Sequence, residues 1–107
     1  MREIITTSMF DTRFCGIVDY YAERGAEKLL ERLQNGFESF IDSVQELEEV
    51  GKPHVLRISG KVLHARKFVL DAKAKAFTIL YWVPPEESEA IVLLNIKGGG
   101  QNRFKWK

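Results

Sequence analysis

The sequence predicts an α+β domain with an N-terminal strand and with two helices packed on one face of a small antiparallel sheet. Three observations predict it. β-Branched residues open the chain, two stretches carry apolar residues at helical spacing, and short apolar runs separated by turn residues follow from position 54.

Residues 3–7, Glu-Ile-Ile-Thr-Thr, predict the first strand. Ser8 stands where a helix N-cap belongs, with Asp11 three residues on. Phe10, Phe14, Ile17, Val18 and Tyr21 then predict a helix over 9–24, stopped by Gly25. Cys15, on this helix, is expected to be a small buried residue. Leu29, Leu30, Leu33, Phe37, Phe40, Ile41, Val44 and Leu47 form one long apolar stripe. Asn35-Gly36 interrupts it with a residue that costs about 1 kcal/mol relative to alanine. The stripe stays in phase across the pair, which predicts one long helix, with a kink allowed, ended by Gly51-Lys52-Pro53.

Strands are predicted at 54–58 and 62–70 around the turn Ser59-Gly60-Lys61. A polar turn at 71–75 leads to a central apolar strand at 76–83. Pro84-Pro85-Glu86-Glu87-Ser88 must be a loop, because proline cannot continue the ladder. The last strand is 90–96; Gly98-Gly99-Gly100 breaks it before a basic, aromatic tail.

At 107 residues the chain is long enough for one domain, 1–107, with one core. Its 45% apolar and 29% charged content is that of a globular protein. No apolar run approaches the roughly 18–20 residues that span a bilayer, and the N-terminus lacks signal-peptide features. The single cysteine excludes an internal disulfide framework and a multi-cysteine zinc site, and points to a reducing cytoplasm. Two histidines far apart in sequence suggest no metal site, and nothing suggests a cofactor. Charge is lopsided: residues 1–51 carry −6 and residues 52–107 carry +7. The basic half suits an anion, either nucleic acid or an acidic partner, unless the two halves neutralise each other.

Leu63-His64-Ala65-Arg66, Ala76-Phe77-Thr78-Ile79-Leu80-Tyr81 and Ala90-Ile91-Val92-Leu93-Leu94-Asn95-Ile96-Lys97 are short, degenerate patterns. In this order of elements they resemble the RelE/ParE toxin superfamily, especially its HigB-like members. The resemblance implies a toxin of a type II toxin–antitoxin system: a metal-independent endoribonuclease that cleaves mRNA at the ribosome and is neutralised by a cognate antitoxin. It also admits ParE-like binding of DNA gyrase, or a catalytically silent protein-binding relative. The chain departs from many RNA-cleaving relatives at Thr78, where they carry arginine, and at Lys97, which glycine follows.

Side chains alternate along a strand. Leu63, Ala65, Lys67 and Val69 share one face, and Val62, His64, Arg66 and Phe68 the other. The mostly aliphatic set is expected to pack under the helices, leaving His64 and Arg66 on the open face. The resemblance implies basic active-site positions at the same two places. RNA is cleaved when its 2′-hydroxyl attacks the adjacent phosphate. Histidine can move the protons, and arginine can hold the phosphorane charge. His64, Arg66, Lys97 and Arg103 are therefore the catalytic candidates, and His54, Lys61, Phe104 and Lys105 the RNA-binding ones. Lys52, Arg57, Lys73 and Lys75 are further candidates for the RNA backbone. Each has a plainer alternative. His64 can be a surface or hydrogen-bonded histidine, Arg66 can pair with an acid on the long helix, His54 can be a loop residue, and the lysines can be solubilising. Phe104 and Trp106 can stack on bases or dock the chain end. Tyr81 is expected to pack in the sheet. The three glycines lack the Lys-Ser/Thr ending of a phosphate loop.

Overall fold

The chain runs β1 (Glu3–Thr6), α1 (Ser8–Glu23), α2 (Glu27–Glu46), β2 (Lys52–Ile58), β3 (Lys61–Leu70), β4 (Phe77–Trp82) and β5 (Ala90–Gly98). This is a computed structural model, which describes residues 2–70, 77–86, 89–98 and 103–106. The polar turn expected at 71–75, with Lys73 and Lys75, lies outside the described residues, as do Ala76, Glu87-Ser88 and Gly99-Gly100.

The fold is α+β, as the sequence predicts. The strands form one sheet in the order β1-β5-β4-β3-β2. Three of its pairings are antiparallel, but β1 lies parallel to β5, so the sheet is mixed. The parallel pairing follows from connectivity: two helices separate β1 from the sheet, and such a crossover can return a strand in the same direction.

Both helices cover one sheet face. Phe10 of α1 and Leu33, Phe40 and Val44 of α2 form a buried cluster with Leu70, Phe77, Ile79, Tyr81, Ile91, Leu93 and Ile96. Burying a side chain of this size contributes about 1.5–3 kcal/mol. The cluster is aromatic at its centre, where the Phe40 ring lies 5.2 Å from Phe68 and 5.4 Å from Tyr81.

The helix ends refine the sequence reading. The N-cap of α1 is Thr7, not Ser8: Thr7 Oγ1 accepts the Phe10 amide at 3.2 Å. The same hydroxyl donates to the Leu93 carbonyl at 2.9 Å, so one residue caps the helix and ties it to β5. Gly25 follows α1 at φ +65°, a left-handed stop that glycine adopts without strain. Cys15 is exposed, not buried. It lies about 120° round the helix from the Phe10–Phe14–Tyr21 stripe, by helical phase.

Helix α2 runs unbroken through Asn35-Gly36. It ends at Glu46, with Leu47 already extended, several residues before the expected stop. Lys52 and Pro53 belong instead to β2. Pro53 is tolerated there because β2 is an edge strand. No basic residue occupies the last turn of α2, and Arg2 supplies the missing cation. Its guanidinium donates to the carbonyls of Val44 and Gln45 and pairs with Glu48.

The β2–β3 hairpin turns on Ser59 (φ 51°) and Gly60 (φ 78°). Two positive φ values in a two-residue loop are the type I′ pattern, whose twist matches that of the strands. A bulge separates Leu80 and Tyr81 in the β4–β5 ladder: Leu80 faces Asn95, whereas Tyr81 faces Leu93. The extra residue shifts the alternation of β5, so that Ile91, Leu93 and Ile96 all reach the core and Asn95 turns to the opposite face.

Candidate functional site

Cross-strand partners share a sheet face. Arg66 faces Tyr81, Phe68 faces Ile79 and Leu70 faces Phe77. All three of those β4 residues lie in the helix-covered core. The expected faces of β3 are therefore reversed: His64, Arg66 and Phe68 are on the helix side, and Leu63, Ala65, Lys67 and Val69 are on the open side. The physical reason lies at the end of the strand. Phe68 packs against Phe40 of α2 and Leu70 joins the buried cluster, whereas the aliphatic Val69 is 40% exposed.

Arg66 is consequently a structural anchor. Its Nη1 donates to the Gly51 carbonyl at 2.8 Å and the Glu49 carbonyl at 3.2 Å, pinning the loop between α2 and β2. It meets backbone of this loop, rather than an acid on the long helix. Tyr81 holds the same loop from below. Its hydroxyl accepts the Gly51 amide at 2.8 Å and donates to the Glu48 carbonyl at 2.9 Å. Burial pushes the Tyr81 phenol above its ordinary pKa, so it stays protonated for this work. His64 is exposed and lines a hollow of about 260 Å³ with Glu48, Glu49, Arg66 and Pro84-Pro85.

Other sequence candidates gather on the open face. Lys52 and His54 project there from β2, Lys61, Ala65 and Lys67 from β3, Thr78 and Leu80 from β4, and Asn95 and Lys97 from β5. Lys61 sits at the hairpin end, exposed. The chain end lies across the middle. Asn95 is fully buried, and its Nδ2 donates to the Lys105 carbonyl at 2.8 Å. The Phe104 ring centre is 6.2 Å from that of His54, and the Lys97 ammonium is 5.1 Å from the Phe104 ring centre. His54 and Lys97 stand on strands separated by β3 and β4. A ring that meets both must lie above those two strands, where Ala65 and Leu80 are buried. Phe104 thus docks on the sheet, while Trp106 remains 42% exposed and Arg103 and Lys105 are exposed.

Beside the tail is a pocket of about 550 Å³ lined by Lys52, Lys67, Lys97 and Thr78, with Val50, Gly51, Phe68 and Val69 completing its wall. Lys52 and Lys67 are direct cross-strand partners. Like charges placed opposite each other destabilise a sheet. An anion in the pocket would relieve that repulsion. His54 faces the same field: burial, and then the charges of Lys67 and Lys97, hold its pKa below the ordinary 6.5. It is a neutral imidazole near pH 7, able to accept a proton.

Comparison of the chain with known protein families, curated proteins and solved structures found no match.

The structure thus brings His54, Lys61, Lys97 and Phe104 to one face and sets His64 and Arg66 on the other, while Lys105 meets Asn95 through its carbonyl and also lines a cavity beside α1. Sequence reasoning assigned Lys67 to the core and gave no role to Asn95. A lysine in an otherwise aliphatic face was the available signal for Lys67. The position of Asn95 depends on a bulge, which alternation does not reveal. Among the described residues, no group of three His, Cys, Asp or Glu is arranged to hold a metal ion. No helix among them is long and apolar enough to cross a membrane.

Proposed function

We propose that this protein is a toxin of the RelE/ParE kind that cleaves mRNA on the open face of its sheet, acting in the cytoplasm, at the ribosome, under the control of a cognate antitoxin. The supporting observation is His54, which feels the charges of Lys67 and Lys97 and meets the Phe104 ring edge-on, on the same sheet face as the pocket lined by Lys52, Lys67 and Lys97. An active site for RNA needs a base, cations for phosphate and a surface on which a base can stack. The open face offers all three. The order of one strand, two helices and further strands is the order on which the resemblance in the sequence rests.

In this reading the phosphate enters the lysine pocket. His54 takes the proton of the 2′-hydroxyl, whose oxygen attacks the adjacent phosphorus. Lys52, Lys67 and Lys97 hold the charge that builds on the non-bridging oxygens. The bond from phosphorus to the 5′-oxygen breaks, and that oxygen leaves with a proton from a lysine ammonium or from water. Arg103 and Lys105 contact the backbone on either side of Phe104. Arg66 and His64 are outside this chemistry.

The test is brief expression in bacteria lacking an antitoxin, with new 5′ ends mapped on translated messages. Cuts by the native chain that vanish in His54→Ala and persist in His64→Ala support the reading. Growth arrest without cuts would transfer the proposal to another target, such as gyrase. Neither arrest nor cuts would leave a protein-binding module.

A further inference from the structure

A second cavity opens on the other side of β5. It holds about 440 Å³ between one flank of α1 and the end of β5. Thr12, Arg13, Gly16, Tyr20 and Tyr21 line it from the helix, and Lys105 lines it from the tail. Three features of it point to one ligand class.

The first is charge. Arg13 Nε is buried and has no hydrogen-bond partner among the described residues. A buried cationic donor without an acceptor is costly, and an anion is its natural complement. Lys105 adds a second cation, and none of the described lining residues is acidic. The second is aromatic surface. Tyr20 is 50% exposed, with Arg24 stacked 3.6 Å from its ring centre. A planar ring arriving at this wall meets a tyrosine already polarised by a guanidinium. The third is space. A Cβ added at Gly16 would meet no atom within 4 Å, so the missing side chain keeps the wall open.

Lys105 joins this cavity to the open face. Its carbonyl is held by Asn95 on that face, while the residue lines the groove beside α1. A strand that follows the tail over the edge of β5 arrives at Arg13.

We infer that the α1 groove binds one nucleotide of a single-stranded RNA, its phosphate on Arg13 and Lys105 and its base on the Tyr20 wall. The inference rests on the RNA reading of the open face and extends it into a two-point grip on one strand. It assigns binding, not chemistry, to the groove.

Titration of isotope-labelled protein with an oligouridylate of about twelve nucleotides, within the usual span of single-strand sites, tests it. The Arg13 Nε–H and His54 ring resonances should both move. In Gly16→Leu, the groove is filled from an open helix position. Arg13 should then stop responding, His54 should still respond, and affinity should fall about tenfold, the loss of one stacked base. Arg13→Met, which keeps the stem and removes the charge, should give the same loss. His54 responding while Arg13 stays still, with unchanged affinity in both variants, overturns the groove and leaves the open face intact. Silence at both sites overturns the RNA reading along with it. Movement of Arg13 with a polyglutamate peptide but not with RNA would assign the groove to an acidic protein instead.

Discussion

The Tyr81 hydroxyl lies 2.8 Å from the Gly51 amide, and this contact fixes where the β2 edge begins. The room for it exists because position 51 has no side chain. A Cβ there would stand 2.6 Å from the Lys67 carbonyl and 2.8 Å from the Tyr81 ring. Tyr81→Phe would strip partners from the Gly51 amide and the Glu48 carbonyl. It should cost about 1–3 kcal/mol in denaturant unfolding. Gly51→Ala should cost more than Tyr81→Phe, because both neighbours of the new atom are held in the sheet. Equal stability of Gly51→Ala and the native chain would contradict this packing.

Arg66→Ala should behave as a stability variant. Both carbonyl contacts of its Nη1 are lost, and the loop after α2 is released. A lower thermal midpoint is expected, with RNA affinity per folded molecule unchanged. An affinity loss without a stability loss would return Arg66 to the RNA-binding surface.

Removal of one lysine from the Lys52–Lys67 pair should act in opposite directions on folding and on binding. Lys67→Ala relieves a like-charge pair and should be neutral or stabilising by a few tenths of a kcal/mol. It should weaken RNA binding and lower the slope of log affinity against log salt by about 1. A salt series on the native and variant chains measures both. A binding slope that does not change would exclude Lys67 from phosphate contact.

His54 should titrate below 6.5, because burial and then Lys67 and Lys97 disfavour its charged form. A histidine whose folded pKa is lowered binds fewer protons folded than unfolded. Its contribution to stability is therefore constant above about 6.5 and falls as the pH drops from there through the lowered folded value. Phe104→Ala uncovers the ring and should move the titration back toward the ordinary value. Proton resonances of the imidazole, followed against pH in both chains, decide it. A native His54 titrating at or above 6.5 would contradict the burial and the crowding by Lys67 and Lys97 described for this face.

The hairpin offers a control remote from both grooves. Ser59 adopts φ 51°, where a side chain other than asparagine, aspartate or glycine is unusual. Ser59→Asn should stabilise the chain by about 0.5 kcal/mol, in line with the asparagine-glycine preference of such turns. RNA binding should not change.

What the sequence made legible follows from local rules. Apolar spacing was enough for both helices, and the continuity of α2 across Asn35-Gly36 followed from the phase of its stripe. The hairpin followed from Ser59-Gly60. The faces of β3 did not. Leu63, Ala65, Lys67 and Val69 are nearly as apolar a set as any core strand, but the opposite face is decided by Phe68 meeting Phe40 of α2 and by Leu70 joining the buried cluster. That contact is tertiary. The open face is also partly buried, under Phe104, so its aliphatic set read as a core face although the helices lie on the other side. His54 was legible as a candidate; the company of Lys67, Lys97 and Phe104 that lowers its pKa was not, because those residues come from three separate parts of the chain.

The pairing of β1 with β5 carries a consequence for how the protein comes into being. Glu3 sits opposite Ala90, Ile4 opposite Ile91 and Ile5 opposite Val92. β1 is thus completed by β5, with both helices and three strands between them in the chain, and closing so long a loop is slow. Asn95 and the tail residues that lean on His54 come from that same late segment. A chain that has not yet added β5 therefore has neither a finished sheet nor an assembled basic face.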